Sequence, residues 1–140
     1  MNDDTRVDRC EFCHLELVSE QQLIFENEDA MFLQLKDVDN KGKLLAGAGV
    51  IVPKQHRDTV FDLTETEWSA MYELLQRVKV FIDERFWPDG YNVGWNNGAV
   101  AGQHIHHVHL HILPRYKDET LAGKGIRYMF KEGRNQRGVN

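Results

Sequence analysis

Apolar residues gather in three short runs early in the chain: "QLIFEN" (22–27), "AMFLQLK" (30–36) and "AGVIVP" (48–53). Each is rich in β-branched or aromatic residues, and each predicts a strand. In the second, Met31, Leu33 and Leu35 alternate with Phe32, Gln34 and Lys36, so one face is expected to be better buried than the other. The stretch between the last two, "DVDNKGKLLAG", is turn-rich and long for a plain connection, which suggests a binding loop. After position 64 the period changes. Trp68, Met71, Leu75, Val78, Ile82 and Phe86 recur at steps of three and four, the stripe of a helix packed on a core. Thr64 and Glu67 form a capping box at its start, and Pro88 and Gly90 stop it. Strands on both sides of one long helix imply an α+β domain with a largely antiparallel sheet.

The run that folding does not ask for is "QHIHHVHLHILPRY", Gln103 to Tyr116. In a strand, residues two apart share a face, so His107, His109 and His111 line up while Val108, Leu110 and Ile112 point to the core. His104 and His106 fall on the opposite face. A row of imidazoles is costly as packing, because buried rings need partners for two nitrogens and charged ones repel. Two chemistries fit: a metal site, or a histidine nucleophile whose neighbours act on phosphate and protons. The preceding "NNGAVAGQ" favours the second, since glycines admit close backbone approach and amides bind anionic oxygens.

Composition narrows the partners. With 140 residues, 28% of them charged and 41% hydrophobic, the chain has the balance of an ordinary globular domain. A net charge of −5 argues against a nucleic-acid partner. Neither a signal peptide nor a membrane-spanning apolar run is visible, so no membrane partner is expected and the expected compartment is the cytoplasm. Thiols stay reduced there, which leaves Cys10 and Cys13 available to a metal.

His107-Val108-His109-Leu110-His111-Ile112-Leu113 resembles the His-φ-His-φ-His-φ-φ signature (φ hydrophobic) of the histidine triad (HIT) superfamily of nucleotide hydrolases and transferases. The likeness runs from about Cys10 to Tyr116 and takes in "FLQLKDV", "VIVPKQH", the capped helix, "NNG…AGQ" and "LPR". It implies a HIT-like fold: about five mainly antiparallel strands, one long helix and one shorter. A single domain over 1–140 is expected, with its core at about 10–116 and flexible tails at 1–9 and about 130–140. A homodimer and a purine nucleotide derivative as substrate are also implied. His109 would attack the α-phosphorus to give a covalent nucleotidyl-histidine, which water hydrolyses to the monophosphate. His111 would hold a phosphoryl oxygen, with Gln103, Asn96 and the Gly102 region steadying the others. Asp37 would accept hydrogen bonds from the ribose. Two departures stand out. His104 replaces the small hydroxyl residue that phosphoramidate hydrolases of the family carry after Gly-Gln, and the loop after Asp37 is lengthened.

"CEFCH" matches a c-type haem pattern, but haem is attached to such motifs outside the cytoplasm. It lacks the βαβ context of a redox pair, so no redox cofactor is expected. Resemblance to bacterial zinc-containing members of the family implies a structural Zn2+ held by Cys10, Cys13, His56 and His107. His14 is then left to solvent, and only His109 and His111 remain for chemistry. The other function classes are a zinc-dependent hydrolase using the histidine row itself, and a low-turnover nucleotide- or metal-binding sensor.

Overall fold

The computed structural model describes residues 7–17, 20–36 and 45–138. Five strands form one sheet: β1 (Gln21–Glu26), β2 (Ala30–Leu35), β3 (Gly49–Pro53), β4 (Gly90–Trp95) and β5 (Leu110–Arg115). Their spatial order is β1-β2-β3-β5-β4, and every neighbouring pair is antiparallel. The long helix α1 (Glu65–Phe86) joins β3 to β4, and a short helix α2 (Tyr128–Lys131) follows β5. This is the expected α+β architecture. Among the described residues, no helix is long and apolar enough to cross a membrane.

The α1 start is built as its sequence implies. Thr64 Oγ1 accepts from Glu67 N at 3.1 Å, and the Glu67 carboxylate accepts from Thr64 N at 2.9 Å. The helix lays Met71, Leu74, Val78 and Ile82 on Ala30, Phe32, Ile51, Leu110 and Ile112, the main core. Trp68 departs from the expected stripe. It lies in the first turn, half exposed at the sheet edge, where it stacks on Trp95 at 5.6 Å. Leu74 takes the central place instead. The helix ends at Trp87, which turns left-handed (φ 48°) just before Pro88.

The second strand also departs from its pattern. Phe32 and Leu33 are both fully buried although they face opposite ways. The sheet is covered on both sides: α1 lies on one, and on the other Leu33 and Val52 pack against Cys10 and Phe12 of the N-terminal segment. That second layer explains why alternation is weak in β2. Close approach explains Gly49, where an added Cβ would sit 2.6 Å from the Leu33 carbonyl oxygen and 2.7 Å from the Phe32 ring.

Asp37 and most of the long loop, residues 37–44, lie outside the described residues, as do positions 1–6 and 139–140 of the expected tails. The described part of the C-terminal tail starts inside α2, and the Asn135 side chain donates back to the Met129 carbonyl at 2.8 Å.

Candidate active site and metal cluster

Of the three aligned histidines, only His111 lies within the regular part of β5; His107 and His109 lead into it. The lead-in is held by a hydrogen bond from Val108 N to Arg57 O at 2.7 Å. His109 Nδ1 is 2.9 Å from the carbonyl oxygen of His107. A carbonyl can only accept, so Nδ1 carries the proton and Nε2 keeps its lone pair. The ring is packed edge-on by Phe12 (5.2 Å) and by His111 (4.6 Å). Burial lowers the His109 pKa below the ordinary histidine value. Burial, and then the charge that His109 would carry, push His111 down to about 4. Among the described residues, the buried Nε2 of His111 has no hydrogen-bond partner. Two adjoining neutral imidazoles, one with an unanswered nitrogen, are suited to meet an anion carrying transferable groups.

His107 turns the other way. Its Nε2 donates to Pro53 O at 2.8 Å, which leaves Nδ1 as the ligating nitrogen. That nitrogen lies 3.3 Å from Cys10 Sγ and 3.4 Å from Cys13 Sγ, while His56 Nδ1 lies 3.3 Å from Cys13 Sγ. All four ligand atoms fall within 4.8 Å of one another. In a tetrahedral zinc site with ordinary Zn–S and Zn–N lengths, neighbouring sulfur and nitrogen ligands sit about 3.5 Å apart. The two-thiol, two-imidazole set therefore fits zinc, and among the described residues no carboxylate belongs to it. Burial and then Cys10 push the Cys13 thiol up to about 12, and burial pushes His107 down to about 4, so both of these groups favour their neutral forms. A divalent cation inverts that preference and holds the thiols as thiolates.

The loop before the histidines is braced rather than open. Gln103 is buried; its Nε2 donates to Asp58 O (2.7 Å) and Ile105 O (3.2 Å), and its Oε1 accepts from Gly98 N (2.8 Å). These three bonds brace the loop that leads into the histidines. Gly98 (φ 95°) and Gly102 (φ 101°) supply left-handed corners, and the Asn96 amide lies 3.3 Å from where a Cβ on Gly102 would be. His104 and His106 are exposed, with His106 Nδ1 3.8 Å from Asp58. His14 is outside the metal cluster and lies 3.5 Å from Glu16.

Two participants escaped the sequence reading. Arg57 donates from Nε to both Glu67 oxygens at 3.0 Å, so the carboxylate that caps α1 also fixes the segment carrying His56. Phe12, inside the "CEFC" spacing, walls both His107 and His109. Its apolar character between two cysteines was the available signal.

The chain matches the HIT domain family over residues 16–118, so Cys10 and Cys13 precede the matched span. It is 32% identical over 98 residues to an adenosine 5'-monophosphoramidase of Schizosaccharomyces pombe, which covers 70% of this chain and 68% of that protein. It is also 32% identical over 101 residues to a bis(5'-adenosyl)-triphosphatase of Dictyostelium discoideum, covering 72% and 64% respectively. A crystal structure of a HIT family protein from Bacillus anthracis has the same fold, with a TM-score of 0.67 over 79% of this chain and 76% of that one at 29% identity.

Proposed function

The chain belongs to the HIT family, and on that premise we propose that it hydrolyses or transfers nucleotidyl groups at the α-phosphate of a purine nucleotide derivative, with His109 as nucleophile. The observation that carries this reading is the bond from His109 Nδ1 to the His107 carbonyl, which reserves Nε2 for attack. The Nε2 lone pair forms the bond to phosphorus, and the leaving group departs with the electrons of its bond and takes up a proton. Water then attacks the same phosphorus, the P–N bond breaks, and the pair returns to His109 as the nucleoside monophosphate leaves.

His111 Nε2, buried and without a partner among the described residues, would engage a phosphoryl oxygen. Asn96 and the backbone at Gly102 are assigned to the remaining oxygens, and Asp37 to the ribose. Gln103 acts as a positioning residue through Gly98, Asp58 and Ile105. Cys10, Cys13, His56 and His107 would hold a structural zinc, whose chemistry when bound is to tie the N-terminal segment to the base of the catalytic strand. Committing His107 to that cluster leaves it no part in proton transfer. A cytoplasmic homodimer completes the reading.

The relatives named above act on two leaving-group types, phosphoramidate and dinucleoside polyphosphate, and both remain within the proposal. The test is steady-state release of AMP from adenosine 5'-phosphoramidate and from diadenosine triphosphate. Wild-type protein should release AMP from at least one, and His109→Ala should lose at least a thousandfold while still binding AMP. Full activity in His109→Ala, or none in wild type, would overturn the proposal.

A further inference from the structure

Two imidazoles of the histidine run, His104 and His106, belong neither to the metal cluster nor to the proposed phosphoryl chemistry. They stand on a clamped loop. On one side Gln103 Nε2 donates to Asp58 O (2.7 Å) and Ile105 O (3.2 Å), and on the other Val108 N donates to Arg57 O (2.7 Å). Between them Ile105 packs inward on Cys10, Phe12, Leu33 and Val52, and the histidines on either side of it are left exposed. His106 Nδ1 lies 3.8 Å from Asp58 Oδ1, and a carboxylate on that side of the ring favours a cation at Nε2.

Both histidines border a cavity of about 320 Å³ whose wall also includes Arg9, Cys10, Glu11 and His56. Cys10 and His56 belong to the four-ligand cluster, so the cavity leads from solvent to the metal site. The inner ligands are hard to reach otherwise: Cys10 is 7% exposed and His107 is fully buried. A metal ion has two ways in. The N-terminal segment can lift off the sheet, breaking the ring contacts of Phe12 with His107 and His109, or the ion can pass along the cavity with the segment in place.

We propose that His104 and His106 form an outer, transient site for a divalent metal ion and pass zinc along this cavity to Cys10 and His56. The inference rests on the structural-zinc reading and extends it from holding the ion to exchanging it. Imidazole nitrogen suits zinc, and two such ligands leave the other positions to water, a set too weak to keep the ion. The inner set adds two thiolates, so transfer inward is favourable. At each move a new side-chain ligand displaces a water or an imidazole. When zinc replaces zinc, no net proton or electron moves.

The experiment mixes zinc-loaded protein with an excess of a heavy zinc isotope and follows exchange by native mass spectrometry, in wild type and in a His104→Ala/His106→Ala double variant. Both side chains are exposed, so the substitutions leave the core intact. In wild type the exchange rate should rise with the concentration of free zinc. In the double variant exchange should be about tenfold slower and independent of that concentration, while zinc content and melting temperature stay those of wild type. Unchanged exchange in the double variant overturns the inference and gives entry to the lifting of the N-terminal segment. Lost zinc or a lowered melting temperature in the double variant also overturns it, by making these histidines permanent ligands. Wild-type protein that takes up no zinc fails the zinc reading itself, and the inference falls with it.

Discussion

His107 and His109 are joined by one hydrogen bond, 2.9 Å from the carbonyl oxygen of the first to Nδ1 of the second, while their rings turn to different tasks. The His107 imidazole enters the cysteine cluster; its backbone orients the neighbouring ring. In the proposed reading, a single peptide group joins the residue that would hold the metal to the one that would attack phosphorus.

The pH dependence follows from His111. Its folded pKa, pushed down to about 4, lies below the ordinary value of 6.5. Neutral imidazole thus persists well below pH 6.5, and kcat/KM should stay level from pH 8 to about 5.5 before falling. The same shift affects stability. Between pH 6.5 and about 4 the unfolded chain binds a proton that the folded chain does not, so this contribution is complete above pH 6.5 and is lost as pH falls toward 4. Urea midpoints across that range check the second claim. An activity loss centred near 6.5 would contradict the first.

Zinc should accompany the protein when it is purified without chelator, at about one ion per chain by elemental analysis. Cys10→Ser or His56→Ala should lose the metal and lower the melting temperature, because metal binding is folding free energy at such sites. AMP release per folded molecule should persist after metal removal, which distinguishes a structural ion from a catalytic one.

Much of this arrangement was legible in the chain. The capping box at Thr64 and Glu67 and the stripe through Met71, Val78 and Ile82 declare themselves through local spacing, and the structure has both. The pairing of Cys10 and Cys13 with His56 and His107 followed from family likeness, and the four do converge. What spacing could not reveal depends on distant neighbours. Leu33 looked like one half of an alternating strand because nothing local announces that Phe12 and Cys10 fold over it. That Asp58 O and Gly98 N bond the Gln103 side chain was likewise hidden, because they reach it only through the tertiary fold. Trp68 kept the helical period but fell at the sheet edge, where the period no longer meets the core.

Glu67 has two roles, so its removal should cost more than a cap. Glu67→Ala takes away the acceptor for Thr64 N and leaves Arg57 without its carboxylate. With Arg57 partly exposed, we expect a loss of about 2 kcal/mol by urea denaturation, with the slope unchanged.

Gly49→Ala should destabilise through crowding. The new Cβ would meet the Leu33 carbonyl and the Phe32 ring, both well inside van der Waals contact, and β2 would have to move. A cost of about 1–3 kcal/mol is expected from the same denaturation measurement.

The most direct test of the central claim is to catch the intermediate. Wild-type protein is mixed with adenosine 5'-phosphoramidate for less than one turnover, quenched in alkaline denaturant to protect an acid-labile P–N bond, digested and mapped by mass spectrometry. The account predicts one adenylyl group on the peptide ring at His109, absent from His109→Ala. AMP release with no adduct, or an adduct on His107 or His111 instead, would contradict it.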